Sequence, residues 1–153
     1  MYPSPFPDWL GAAPETHPIY GPLLGLPSLV LGQFGQSLDG RIATCGGDTS
    51  PIGCPEALIH LHKLRALVDA VVVGIGTILS DDPQLTVRHC QGRDPVRVVI
   101  DPRGRLPAGA RLLRGGPPVL VLTTAGRPAP PGAEAVALRA AERFFHPDAI
   151  IAT

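Results

Sequence analysis

No hydrophobic stretch of this chain is long enough to cross a membrane as a helix, because Gly, Pro or a charge interrupts each one well short of ~18 residues. The N-terminus also lacks the basic-then-apolar pattern of a secretory leader, so a cytoplasmic protein is expected. Excess charge of one sign is absent. Lys plus Arg number 13 and Asp plus Glu number 13, which excludes the basic field of a nucleic-acid binder and the acidic tail of a solvating segment. A small molecule is the expected partner, with no nucleic acid and no membrane. Cysteines are few: Cys45, Cys54 and Cys90 are an odd number without CxxC spacing. His60 and His62, two apart, point to different helix faces. No metal site is expected, and the three thiols read as free and reduced.

What is plentiful is Gly and Pro, 18 and 19 of 153 residues, beside a hydrophobic content of 44% and a charged content of only 17%. That combination describes about one domain with a real core and proline-stiffened loops. Residues 1–28 carry prolines at 3, 5, 7, 14, 18, 22 and 27, each of which fixes φ and removes a donor, so this arm is expected to be extended rather than helical. Its aromatics, Tyr2, Phe6, Trp9 and Tyr20, equip it to pack on its own core or on a second subunit. A disordered leader is the other reading.

From residue 29 onward the elements alternate. Leu29–Phe34 reads as a strand and Ser37–Gly40 as a turn, with Gly40 supplying positive φ. A helix is predicted from Pro55, with Ala57, Leu58, Leu61, Leu64, Arg65 and Val68 at helical spacing. Ala70–Val73 is a continuous run that reads as a strand buried on both faces of a parallel sheet, followed by a short turn or helix from Thr77. Val96–Ile100 and Val119–Thr123 are two further strands, and Gly115-Gly116 before Pro117 reads as a hairpin loop. Near the end, Pro147-Asp148 starts like a helix that has little length left before Thr153. Strand and helix in alternation predict an α/β domain with a mainly parallel sheet. Ligands of such sheets sit beyond the carboxyl ends of the strands, which is where Gly74, Gly76, Thr77, Asp81, Asp82 and Arg88 fall.

Four segments together carry a family resemblance: SLDGRIAT, the helix ending LHKLRALVDAVVVG, IGTILSDDPQLTVR, and PVRVVIDPRGRLP. They are similar to the reductase domain of the bacterial riboflavin-biosynthesis deaminase/reductase (the RibD C-terminal domain), and most closely to its stand-alone forms. The resemblance covers residues 28–153, with 37–101 the most specific part. It implies a three-layer α/β/α fold like that of dihydrofolate reductase, with 1–28 as an arm and 29–153 as the N-terminal portion of the reductase domain. It also implies NADPH as cofactor and hydride transfer to the ribosylamino carbon of 5-amino-6-(5-phosphoribosylamino)uracil.

Roles follow position by position. Arg65 and Arg88 match substrate-contacting positions, and a guanidinium fork suits phosphate oxygens. Taken without the resemblance, they read as a solvated helix arginine and a strand-end charge. Asp81 matches the family's aspartate beside the nicotinamide and the reacting carbon, where a carboxylate stabilises positive charge and accepts hydroxyl hydrogen bonds. Asp82, before Pro83, reads as the shaper of an Asx-type turn. Gly35 and Thr77 match nucleotide-contacting positions. Gly74 and Gly76 join them on the cofactor edge or serve only a tight turn. Thr49 aligns with a substrate-touching serine and Leu85 with a substrate-lining apolar residue.

The sequence departs from the family at three places. A usual lysine is Gln33, a common aromatic is Pro51, and nothing in 103–153 resembles the family's VEGGG-like cofactor loop. The reductase domain is therefore expected to be incomplete at its C-terminus, self-associating as a homodimer, and unable by itself to transfer hydride. Two other readings stay open: a non-catalytic remnant that binds nucleotide or a partner chain, and a reductase of this fold acting on a pterin-like substrate.

Overall fold

The computed structural model describes residues 7–11, 13–42, 53–138, 140–141 and 144–145. Cys45, Thr49, Pro51 and the helix start at Pro147 lie outside these residues. The described residues fall into two compact units, one drawn from Met1–Leu67 and Val87–Arg93, the other from Val68–Thr86 and Asp94–Thr153.

The second unit is built on a parallel sheet of β1 (Ala70–Gly74), β2 (Val96–Ile100), β3 (Val119–Thr124) and β4 (Glu134–Leu138), in sequence order. Ala70 pairs with Val96, Val98 with Leu120, and Leu122 with Val136. β2 and β3 are the β-branched, apolar runs that a sheet covered on both sides requires, and their central residues are buried on both faces. On one face Val99, Val119 and Val121 pack with Ile75, Ile78, Leu85, Leu106, Ala110 and Leu112; on the other, Val98 and Leu122 pack with Val96, Ile100, Leu120, Val136 and Leu138. α3 (Ile75–Asp81) follows β1 directly, starting two residues before Thr77. A small antiparallel pair, β5 (Ala140–Ala141) with β6 (Phe144–Phe145), ends the described chain.

Three expectations are corrected in this unit. β1 is not buried on both faces: Val71 and Val73 pack on the core, whereas Ala70, Val72 and Gly74 face outward and Val72 is 48% exposed, because the apolar cluster on the other face of the sheet does not extend over β1. Gly115-Gly116 is not a hairpin. The strands before and after it run parallel, so 101–118 is a crossover. The glycines wrap the buried Arg97 guanidinium, which donates to the carbonyls of Leu112 (2.5 Å), Gly115 (3.0 Å) and Pro117. Asp82 makes no Asx turn either: it closes α3 in the left-handed region (φ 41°), and its Oδ1 accepts the Arg111 N–H at 2.8 Å.

The first unit centres on α2 (Pro55–Leu67), which begins at the expected proline. Its buried residues are His62 and Leu64, with Leu67 packed beside them, whereas Leu58 and Ile59 are exposed; the inward stripe lies toward the C-terminal turns. Leu10 and Tyr20 of the arm pack with Leu64, so the arm lies on the chain's own helix. It is not extended. Short 3-10 turns at Asp8–Leu10 and Pro14–Thr16 and one turn of α1 (Gly21–Leu24) use Pro14 and Pro22 at first-turn positions, where a missing N–H costs nothing. Gly21 is required by space, since a Cβ there would lie 2.3 Å from the Glu15 carbonyl oxygen.

Leu29–Phe34 is not a strand. It makes no ladder bonds, and Val30 and Phe34 are 77% and 70% exposed. The segment LVLGQF has one β-branched residue and an interior Gly-Gln, an apolar run becomes a strand only where a partner offers backbone groups, and no described strand pairs with it. The Ser37–Gly40 turn forms as expected, closed by Gly40 N–H on Ser37 O at 2.9 Å, with Gly40 at φ +78°.

Candidate functional site

In the second unit the candidate residues gather where β1 turns into α3. Ile75 and Ile78 face the core, and that fixes the helix rotation. Gly76, Thr77 and Asp81 are consequently turned to solvent, as is Gly74 just before the helix. Neither glycine is demanded by the protein itself. Gly74 has an ordinary φ of −75°, and a Cβ at either position would meet no atom within 4 Å. Glycines placed in open space beside an exposed hydroxyl and carboxylate leave room for the backbone to be approached closely from outside. Leu85 is placed differently, 2% exposed within the apolar core and held at φ 60°, a costly conformation for a non-glycine residue.

The first unit holds the two arginines. Arg65 occupies the last turn of α2 and is partly buried, while Arg88 is exposed. Burial, and secondarily the charge of Arg88, pushes the Arg65 guanidinium below its ordinary pKa. Gly35 and Gln33 lie on the exposed segment that precedes the Ser37 turn. The candidate residues thus form two groups, Gly74, Gly76, Thr77, Asp81 and Leu85 in one unit and Gly35, Arg65 and Arg88 in the other. Among the described residues, no cluster of three or more His, Cys, Asp or Glu side chains is arranged to hold a metal ion.

Two buried polar residues escaped the sequence reading. His62 is fully buried, and its Nδ1 accepts the Arg88 N–H at 2.9 Å. Asp101, directly after β2, is also fully buried; its Oδ2 accepts the N–H groups of Arg105 (2.5 Å) and Leu106 (2.8 Å), ordering the loop at the carboxyl end of the sheet. A cavity of about 160 Å³ opens beside it, lined by Leu106, Val121, Ala129 and neighbouring residues. The available signal for Asp101 was its position, an acid immediately after a parallel strand. His62 carried none, since its partner is 26 residues away.

A parallel α/β sheet with polar and glycine residues at the carboxyl end of a strand has the architecture in which α/β domains place their ligand sites. Solved structures share its fold. The Thermotoga maritima diaminohydroxyphosphoribosylaminopyrimidine deaminase/5-amino-6-(5-phosphoribosylamino)uracil reductase superimposes with a TM-score of 0.62 at 37% identity, over 71% of this chain and 31% of that one. The Saccharomyces cerevisiae riboflavin biosynthesis reductase Rib7 gives 0.60 at 24% identity over 76% and 52%, a likeness of fold. These are dihydrofolate-reductase-like α/β folds. Residues 28–136 match the RibD C-terminal domain, and the chain belongs to that family. Among curated relatives, riboflavin biosynthesis protein RibD of Chlamydia pneumoniae is 44% identical over 92 residues, 58% of this chain and 24% of that protein. The 2,5-diamino-6-ribosylamino-4(3H)-pyrimidinone 5′-phosphate reductase of Methanothermobacter thermautotrophicus is 44% identical over 89 residues, 56% of this chain and 41% of that protein. The chain therefore spans less than half the length of either relative.

Proposed function

We infer that this chain serves an NADPH-dependent reductase of riboflavin biosynthesis, which reduces the ribosylamino carbon of 5-amino-6-(5-phosphoribosylamino)uracil. The observation that carries this reading is the match of residues 28–136 to the RibD C-terminal domain, a family with a relative named a 5′-phosphate reductase, with Arg65 in the last turn of α2 and an exposed Arg88 in the same unit. Arg65 and Arg88 grip the substrate phosphate, each as a charge-assisted donor. Thr49 supplies a hydroxyl, whereas Leu85, enclosed in the apolar core under the sheet, offers no surface to a substrate.

The donor set at the β1–α3 corner fits a nicotinamide dinucleotide, because Gly74 and Gly76 have unfilled space at their Cβ positions and Thr77 and Asp81 are exposed beside them. The bound cofactor supplies the hydride. Gly74 and Gly76 let the backbone lie close to it, and Thr77 donates to a phosphate or ribose oxygen; Gly35 is carried only as a match to a nucleotide-contacting position of the family. Asp81 accepts hydrogen bonds from hydroxyls and stabilises positive charge at the reacting centre. The protein's contribution is to position the two reactants and complement their charge.

Calorimetric titration with ribose 5-phosphate tests the reading. Binding is expected, weakened by about 2 kcal/mol in Arg88→Ala and again in Arg65→Ala. Equal affinity in wild type and both variants would remove the phosphate assignment.

A further inference from the structure

His62 is an unusual residue to find on the inward face of a helix, completely buried and two positions from the leucine that anchors the arm. A neutral imidazole has one N–H donor and one acceptor nitrogen. Because Nδ1 receives the Arg88 amide at 2.9 Å, Nδ1 is the acceptor and the proton of the neutral ring sits on Nε2. The bond satisfies a main-chain donor that has no ladder to join, since residues 82–88 belong to no strand.

This contact is one of several that fasten the Arg88–Gly92 segment to its unit. The His89 ring lies edge-on to His62, with centroids 4.5 Å apart. Trp9 Nε1 donates to the Gln91 carbonyl at 2.8 Å. Gly92 comes so close to α2 that a Cβ there would stand 2.4 Å from the Ala66 Cβ. Arg65 lies three residues beyond His62, the spacing of neighbours on a helix surface, and it feels the charge of Arg88. The buried acceptor fixed on the helix ties the Arg88 main chain to the helix that carries Arg65.

We propose that His62 is a positioning residue for an anion site, its Nδ1 setting the Arg88 main chain so that the Arg88 and Arg65 guanidiniums act on one phosphate group. The assignment of phosphate to these arginines rests on the function inferred above; the tie between His62 and Arg88 does not.

The test uses the 153-residue chain labelled with ¹⁵N, ribose 5-phosphate as probe, and His62→Ala and His62→Asn beside Arg88→Ala. In the wild type, the His62 Nδ1 signal is expected in the unprotonated range, coupled across the hydrogen bond to a slowly exchanging Arg88 amide. His62→Ala is expected to speed that exchange and to lower ribose 5-phosphate affinity about tenfold, with NADPH affinity unchanged. His62→Asn, whose Oδ1 accepts near the lost Nδ1, is expected to restore both the slow amide and the phosphate affinity. A purely structural role would lower both affinities together and gain nothing from asparagine.

If Arg88→Ala weakens ribose 5-phosphate binding while His62→Ala keeps full affinity and a protected Arg88 amide, positioning by His62 is overturned and the phosphate reading stands. If Arg88→Ala binds ribose 5-phosphate as wild type does, the phosphate reading falls, and with it the anion-site role of His62; the exchange data then still report whether the tie exists. Should His62→Ala fail to fold, His62→Asn decides: a folded His62→Asn chain with a fast Arg88 amide and weak phosphate binding overturns the proposal.

Discussion

The β2–β3 strands are buried along their length whereas the proline-rich arm is anchored by a few buried residues, Leu10, Tyr20 and Gly21, and the two are held by opposite means. In the strands, interchangeable Val, Leu and Ile side chains repeat the same contact on two faces, and regular ladder bonds satisfy the backbone. In the arm, single contacts between particular residues do the work. Trp9 donates to Gln91, the Tyr20 hydroxyl bonds His60 Nδ1 at 2.7 Å, and Lys63 sits 5.0 Å from the Trp9 ring centroid. Repetition makes the sheet readable from sequence and tolerant of exchange between similar residues. Particular contacts make the arm hard to read and sensitive to small edits.

The largest effect is expected on the sheet side. Leu112 is fully buried in the apolar cluster under β2 and β3, so Leu112→Ala leaves a cavity and is expected to cost about 3 kcal/mol, read as a lower urea midpoint by circular dichroism. Leu112→Met, which conserves volume, is expected to cost less than about 1.5 kcal/mol. On the arm side a single methyl group should matter nearly as much. Gly21→Ala drives a Cβ into the Glu15 carbonyl and is expected to cost about 2 kcal/mol. Trp9 is the chain's one tryptophan, so its fluorescence reports the arm directly. An unchanged Trp9 transition in Gly21→Ala would show that the turn at 15–21 has room to relax.

The same contrast explains what the sequence disclosed. β2 and β3 were legible because continuous apolar runs state a doubly covered strand, and α2 because helical spacing states its type, though not that His62 is buried and Leu58 exposed. Leu29–Phe34 is apolar like β2 but has one β-branched residue and an interior glycine, and without a described strand beside it the segment forms none. β4, with its sequence EAVAL, has little β-branched content and was passed over; its parallel pairing to β3 is a tertiary fact. Gly115-Gly116 was misread because two glycines encode a turn without saying whether the chain reverses. At the candidate site, position beyond a strand marked Gly74, Gly76, Thr77, Asp81 and Arg88, and only the family resemblance marked Arg65. His62 and Asp101 were illegible as functional neighbours because their roles lie in hydrogen bonds to backbone groups, and backbone leaves no mark in composition.

The arm's dependence on particular contacts is testable by a still smaller edit. Tyr20→Phe removes one oxygen, and the loss of its bond to His60 is expected to cost about 1 kcal/mol in the Trp9 transition.

The smallest effect is one of pH, and it separates the two regions without any mutation. Burial, and secondarily the charge of Cys90, raises the Tyr20 pKa above its ordinary value of 10.0. The folded state therefore holds the phenol proton more tightly than the unfolded chain does. The resulting stability is complete below the unfolded pKa and is lost as pH rises through the higher folded one, since the unfolded state releases its proton first. The Trp9-reported urea midpoint is accordingly expected to fall between about pH 9 and about pH 11, and to fall less in Tyr20→Phe. The other tyrosine, Tyr2, is common to both proteins, and its contribution cancels in the comparison. A slope of the same size in wild type and Tyr20→Phe would mean that Tyr20 ionises alike in both states, and the burial of its hydroxyl against His60 would no longer account for how the arm is held.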